Sequence, residues 1–529
     1  MNILLRSRKW NRSLNYWKDR NISGPKPVPY FGNTLSHFLK PRPYVELEWY
    51  NTYGRLYGVH EMGAPVLVVA DPVLIKQILV KDFHKWRNNN SKDSTQLFPK
   101  HLGNARDDHW KRFRHVLSPG FTLGKLKRMY PLIDECCQEV MRALDRKLSV
   151  SSGQTVDVQL KPLMTDYTMD VIASTAFATK THTHSHPNNP FVANVNKFFV
   201  FNRFKTLSAM ILPTFVTHSR VWKAVVGGGG QTPIMFFTQI VKRLLSERKK
   251  SGKIYNDLLQ LLIDSERVDI NDQTVSADIK ASTDAAEAHR VMKGIGNDLA
   301  ADEQVLSDQL FDKTLTEEEI INQCVGLLIA GVESTALTLS LCTYELALNP
   351  DIQNLLVAEI KEAFNENTAD IDYETLWRLP LLDAVVSETV RKYPQGIFLR
   401  REASETVVLS TGRSDGSTVT IEKGMFVSIP VYGIHHDPDN YPDPLVFKPD
   451  RFLSKNSHHI KPYTYLPFGA GPRNCIAMRL ALFEVKLLVA KMIQQFRFYA
   501  VADTPIPPVF EFGFDLLNAR SLVVGVAKR

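Results

Sequence analysis

Apolar residues recur three and four positions apart over most of residues 105–265, and this spacing predicts amphipathic helices, most clearly at 134–148 and 239–245. Ahead of them the pattern differs. Gly24-Pro25-Lys26-Pro27-Val28-Pro29-Tyr30 is a stiff opening that cannot be helical, and Ala64-Pro65-Val66-Leu67-Val68-Val69 reads as a short strand. The strongest signal is an apolar run over 320–348. Thr316-Glu317-Glu318-Glu319 precedes it as a capping box, and Asn349-Pro350 ends it. Such a helix spans on the order of 45 Å, and one apolar on nearly every face must be buried. Yet Gly331, Glu333, Ser334 and Thr335 interrupt its middle. A carboxylate there is costly unless it is paired or used, so the break marks a functional position. Leu379-Pro380 opens a further helix, and residues 478–492 form another apolar one. The pattern is mainly α with small β-sheets (α+β).

Two stretches interrupt this periodicity. Residues 227–230 are a glycine run, and residues 268–313 are polar, acidic and nearly free of aromatics; both read as flexible linkers. Thr181-His182-Thr183-His184-Ser185-His186 has residues able to bind a metal, but a solvated loop is the stronger reading. The 529 residues would allow three or four ordinary domains, and 44% hydrophobic with 23% charged residues is globular composition. A net charge of +8 suits an anionic membrane, an acidic protein or nucleic acid without choosing among them. The cysteines at 136, 137, 324, 342 and 475 are odd in number and irregular in spacing, which argues against a secreted disulfide framework.

The first twenty residues carry six basic residues and only Ile3, Leu4 and Leu5 as an apolar run, too short for a spanning helix or a secretory signal. This start reads as a cytosolic basic segment or the remnant of a longer one, with a transit peptide as the alternative. Residues 1–24 are taken as this segment and 25–529 as a single domain, with 268–313 inserted in it.

The sharpest local chemistry is Phe468-Gly469-Ala470-Gly471-Pro472-Arg473-Asn474-Cys475-Ile476-Ala477, just before the last apolar helix. Glycines let backbone fold tightly around a planar ligand. Helix-terminal amides, with Arg473 nearby, favour a cysteine thiolate. A buried structural cysteine fits the same residues. A phosphate-cradling loop does not, because no Lys-Ser or Lys-Thr follows the glycines. Glu388 and Arg391 lie three apart on the helix after Pro380, and Arg451 is offered to them by the segment Phe447-Lys448-Pro449-Asp450-Arg451-Phe452. Trp110 and Arg114 lie four apart on one helical face, suited to two carboxylates or simply to a cationic surface.

In order and spacing, the WxxxR pair, the long helix with Ala330-Gly331-x-Glu333-Ser334-Thr335, the ExxR pair, the PxRF segment and FxxGxRxC resemble the cytochrome P450 family. The likeness runs from about Pro25 to the C-terminus, and Tyr393-Pro394 and His435-His436-Asp437-Pro438 resemble the microsomal branch that oxidises steroids, fatty acids and foreign compounds. It implies a helical fold around a buried haem b (iron protoporphyrin IX), with Cys475 as the iron ligand. Trp110, Arg114, Arg401 and Arg473 would hold the haem propionates, and Phe468 and Gly331 would flank the porphyrin. Glu388, Arg391 and Arg451 would form a structural triad behind it. Glu333 and Ser334, with Thr335 beside them, would relay protons during oxygen activation. Most members have Thr where this chain has Ser334, and Ala477 replaces a commoner glycine.

The implied reaction inserts one atom of O2 into a small lipophilic substrate, with electrons from NADPH passed by NADPH–cytochrome P450 reductase and cytochrome b5 as a further donor. Lys111, Arg112, Lys125, Lys127 and Arg128 are candidates for the docking patch, although a solvated basic face would look the same. The resemblance also implies the endoplasmic reticulum membrane surface, with a mitochondrial site as the alternative and no nucleic-acid partner. Residues 198–201 and 210–216 are candidates to dip into a bilayer or to pack in the core. Substrate contacts are expected from residues 92–103, Leu327, Glu333 to Thr335, and Ile397 to Leu399. Two rivals are a thiolate-haem isomerase or dehydratase acting on peroxides, and a non-catalytic haem- or ligand-binding protein.

Overall fold

The computed structural model describes residues 14–89, 100–151, 155–186, 188–200, 206, 232–255, 257–266, 314–364, 371–412, 415–513 and 516–529. The expected linkers at 227–230 and 268–313, residues 92–99 of the substrate loop, and Phe201 with residues 210–216 lie outside these.

The described chain is mainly helical with three small sheets. We label the helices that build the site α1 (Arg42–Tyr53), α2 (Asp107–Leu117), α3 (Leu123–Val150), α4 (Leu160–Phe177), α5 (Pro190–Phe199), α6 (Pro233–Ser251), α7 (Leu258–Asp264), α8 (Glu317–Leu348), α9 (Pro350–Ala363), α10 (Pro380–Lys392) and α11 (Met478–Gln495). The strands are β1 (Leu56–Glu61), β2 (Ala64–Val69), β3 (Thr155–Gln159), β4 (Leu399–Glu402), β5 (Val407–Ser410), β6 (Thr418–Ile421), β7 (Phe426–Ile429), β8 (Phe496–Tyr499) and β9 (Val523–Lys528).

The largest sheet runs β1-β2-β7-β4. β1 and β2 are antiparallel, with Leu56 opposite Val69. β2 lies parallel to β7, and β4 lies antiparallel to it with Arg401 opposite Val427. The second sheet is β3-β9-β8, and β5 pairs with β6 alone.

α8 is the axis of the molecule and packs against α4, α6, α10 and α11. Its start follows the predicted capping box: the Glu319 amide donates to Thr316 Oγ1 at 3.3 Å, and the Thr316 amide donates to the Glu319 carboxylate at 3.0 Å. Its apolar content would suit a membrane span by length and composition, but 72% of the most apolar window is buried within the fold. That is the position of a core helix. α10 begins with Pro380 at its first turn, as the sequence requires.

The histidine-rich stretch is less solvated than its composition suggests. Thr183 bonds to Asp170 through both its amide and its hydroxyl, and the His184 ring is tucked against α4, 3.9 Å from Asp166. Among the described residues no group of His, Cys, Asp and Glu is placed to hold a metal ion.

Candidate active site

The cysteine loop is a tight turn made possible by two glycines. Gly469 and Gly471 have φ of +73° and +71°, a region that disfavours side chains. A Cβ on Gly471 would stand 2.0 Å from the Leu79 carbonyl oxygen, so the loop approaches its neighbour at a distance only glycine permits. The Cys475 amide donates to the Phe468 carbonyl at 2.9 Å and the Asn474 amide to Gly471 at 2.8 Å. α11 begins three residues after the cysteine. Cys475 exposes surface yet lies deep in the molecule, because what it exposes faces an internal cavity. Burial pushes its thiol up, while an amide hydrogen bond from Ala477 and the charge of Arg114 pull it down. The other four cysteines are buried thiols.

That cavity holds about 340 Å³ and is predominantly apolar. Phe468, Ile476 and Leu480 line the cysteine side, while Ala330, Gly331, Ser334 and Thr335 form the opposing wall on α8. Gly331 gives clearance chiefly to α4: a Cβ there would meet Ile172 Cδ1 at 2.7 Å. Ser334 Oγ donates back to the Ala330 carbonyl at 2.8 Å, and Thr338 Oγ1 donates to the Ser334 carbonyl at 2.8 Å.

Two expectations about this wall need correcting. Glu333 does not face the Cys475 cavity. It lines a second cavity on another face of α8, where Lys161 Nζ lies 2.6 Å from its Oε1. The reason is helical geometry: Glu333 precedes the two hydroxyl residues by one and two positions and so points round the helix, where α4 offers a cation. Of the expected contacts at 397–399, Leu399 lines the cavity while Ile397 is a core residue, and Gln395 and Gly396 reach the cavity as well. Phe199 packs against the core beside the second cavity, whereas Val200 is exposed.

Arg473 on the loop stacks its guanidinium 4.5 Å from the Trp110 indole centroid, and Arg401 on β4 lies close enough for its charge to act on Arg473. Arg401 donates to the Arg400 carbonyl, and Arg473 donates to the Ala105 carbonyl at 2.8 Å. The Nε atoms of both are buried without a hydrogen-bond partner, and among the described residues neither has a carboxylate within ion-pair distance. Burial lowers Arg401 to about 10; burial first, and then the charge of Arg401, lowers Arg473 to about 8. Guanidinium groups hold their protons tenaciously, so two buried cations with no carboxylate in ion-pair distance among the described residues, and only the charge of Asp107 offsetting Arg473 at longer range, describe a seat for an anionic ligand. A haem fits this seat on its own chemistry: carboxylates for the arginines, a flat apolar ring for the cavity, and an iron for the thiol. Arg114 is placed differently from the other two, with both terminal nitrogens on Asn474.

Behind the loop, Glu388 and Arg391 are wholly buried on α10. Arg391 Nε and Nη2 donate to the two Glu388 oxygens at 2.7 and 2.9 Å, while Nη1 and Nη2 also reach the His435 and Pro444 carbonyls. Glu388 further accepts from the Lys448 amide, and Arg451 Nε lies 3.4 Å from it. Glu388 and Arg391 are thus fully supplied with partners, which a buried ion pair requires, while Arg451 donates through Nη2 to the Asp443 carbonyl and its Nε meets Glu388 by charge without a hydrogen bond.

One residue at the cavity was not singled out by its sequence context. Glu484 on α11 reaches the cavity wall fully buried, with Oε2 lacking a hydrogen-bond partner, and burial holds its carboxyl far above the usual range. Its position inside an apolar helix is the one clue. Of the expected docking residues, Arg112 is committed to the Thr314 carbonyl and Glu319, and Lys127 pairs with Glu374.

The cytochrome P450 family model matches residues 22–286 and 280–523. Cytochrome P450 3A29 of Sus scrofa is 34% identical over 495 residues, 93% of this chain and 88% of its own length. Cytochrome P450 3A7 of Homo sapiens is 33% identical over 522 residues, covering 98% of this chain and 93% of its own. Cytochrome P450 3A11 of Mus musculus is 34% identical over 511 residues, with coverage of 96% and 91%. With a cysteine turn opening on an apolar cavity and a cationic seat beside it, the chain belongs to the cytochrome P450 family and is a haem-thiolate monooxygenase.

Proposed function

We propose that this enzyme oxidises a small lipophilic substrate bound between the Cys475 loop and the Ala330–Thr335 turn of α8, using electrons from NADPH delivered by NADPH–cytochrome P450 reductase. The observation that carries this is the cavity itself: one wall presents the one exposed cysteine among the described residues, and the facing wall on α8 presents the hydroxyls of Ser334, Thr335 and Thr338 in a predominantly apolar lining.

Bound there, haem would supply the oxygen activation, aided by electron donation from a thiolate. Cys475 would hold the iron, with Phe468 against the ring. Trp110, Arg401 and Arg473 would take the propionates, whose charge answers the two unpaired guanidiniums. The Glu388–Arg391–Arg451 cluster fixes α10 against the segment that leads to the loop. Ser334 Oγ rests on a helix carbonyl and needs only a χ1 rotation to turn into the cavity, where it can accept and pass a proton. Thr335 stands beside it. Glu333 reaches this pair by leaving Lys161, which makes it a proton reserve behind the wall and not part of its surface.

The apolar lining selects for lipophilic substrates by burial of their surface. We place the enzyme at the surface of the endoplasmic reticulum membrane. Half-buried Lys125 and exposed Arg128 are the candidates left for docking a reductase or cytochrome b5. Titrating the haem-loaded protein with lipids, steroids and foreign compounds while following the iron spin state tests the reading. Compounds that shift it should be oxidised when reductase and NADPH are added; shifts without any oxidised product would refute it.

A further inference from the structure

Arg114 closes both terminal nitrogens on a single residue. Nη1 donates to the Asn474 main-chain carbonyl at 2.8 Å, and Nη2 donates to the Asn474 side-chain oxygen at 2.6 Å. This is a two-point, charge-assisted grip of the kind that fixes geometry as well as position. Asn474 immediately precedes Cys475, and the gripped carbonyl belongs to the peptide that supplies the Cys475 amide. Turning that peptide plane turns the Cα–Cβ bond that aims the sulfur.

The remaining backbone ties of the turn, including the Cys475 amide in the same peptide plane, hold it only to its own loop. The Asn474 and Cys475 amides bond to Gly471 and Phe468, which are members of the same loop. Arg473 reaches out to the Ala105 carbonyl, but its side chain leaves the chain before the cysteine peptide. Arg114 comes from α2, a separate element whose Trp110 and Phe113 are anchored in the core. It therefore refers the cysteine peptide to a rigid external frame.

We propose that Arg114 is a positioning residue for Cys475: by clamping Asn474 it sets the direction of the sulfur toward the cavity, whatever further contact it makes with haem carboxylates. The inference rests on Cys475 as the iron ligand. Lysine cannot replace it, because a single ammonium offers no planar fork.

The test uses haem-loaded wild type with Arg114→Lys, Arg114→Gln, Asn474→Ala and the Arg114→Gln/Asn474→Ala double variant. Each is reduced under carbon monoxide, and the ratio of the red-shifted thiolate band to the band of complexes that have lost the thiolate is read. Losing a charge-assisted hydrogen bond should lower that ratio by roughly tenfold in both Arg114 variants. Asn474→Ala, which keeps the carbonyl contact, should lower it less, and the double variant should fall no further than Arg114→Gln. Hydrogen exchange of the 468–477 segment in the same haem-loaded proteins should speed up by a similar factor. If Arg114 acts only on haem carboxylates, haem is retained less well in the Arg114 variants while the band ratio and exchange stay at wild-type values. That result overturns the inference alone. A wild type without a thiolate band overturns the haem-thiolate reading beneath it.

Discussion

Glu333 on α8 and Lys161 on α4 form an ion pair of 2.6 Å on the side of α8 away from Cys475, and Lys161 also donates to Asn518 Oδ1 at 2.7 Å. The carboxylate is buried and the ammonium partly so. Removing the cation leaves an uncompensated buried charge. Lys161→Met should cost about 3 kcal/mol of unfolding free energy, read from urea denaturation. The Glu333→Gln/Lys161→Met pair should recover most of the loss. A Lys161→Met protein as stable as wild type would show that the pair contributes nothing.

Ser334→Thr tests the hydroxyl wall. The added methyl restricts χ1, so the hydroxyl spends less of its time on alternative rotamers. Product formed per NADPH consumed should rise and hydrogen peroxide should fall. Unchanged coupling would show that Ser334 is not the hydroxyl that matters.

The triad should behave as a structural unit. Glu388→Gln keeps the shape but leaves the wholly buried Arg391 without a counter-charge, and should destabilise the protein by about 3–5 kcal/mol. Thermal or urea unfolding measures it. A loss under about 1 kcal/mol would mean that the carbonyls of His435 and Pro444 suffice to hold the guanidinium.

How far the sequence revealed this site depended on whether the chemistry was local. The capping box at Thr316, the helix starting at Pro380 and the glycine-rich turn before Cys475 are short-range features, and each appears where its residues put it. The Glu388–Arg391 pair is also local, three residues apart on one helix. What the sequence could not show was which way a side chain turns when partners come from distant segments. Glu333 was legible as a buried acid, but Lys161 lies 172 positions earlier in the chain, and only packing of α4 on α8 joins them. Arg114 was legible as one half of a cationic face; its grip on Asn474 spans 360 positions. Glu484 carried only its place inside an apolar helix as a signal.

Glu484 gives a pH prediction. Burial holds its carboxyl far above the ordinary range, so the folded state keeps a proton that the unfolded chain releases at about pH 4.3. Ionisation then favours the unfolded chain, and this contribution to stability is lost as pH rises from about 4.3 toward the folded-state value. Glu484→Gln removes the effect. Its stability relative to wild type should therefore increase between pH 4.5 and pH 7, followed by urea unfolding across that range. A difference independent of pH would mean that Glu484 has found a partner that keeps it ionised.

The account rests on the Cys475 sulfur binding iron. Its most direct measurement is the absorbance spectrum of the purified, haem-loaded, reduced protein under carbon monoxide, compared with Cys475→Ser. A thiolate-type red-shifted band in the wild type that vanishes in the variant is the predicted result. A wild type without that band, or a serine variant that keeps it, would contradict the assignment of Cys475.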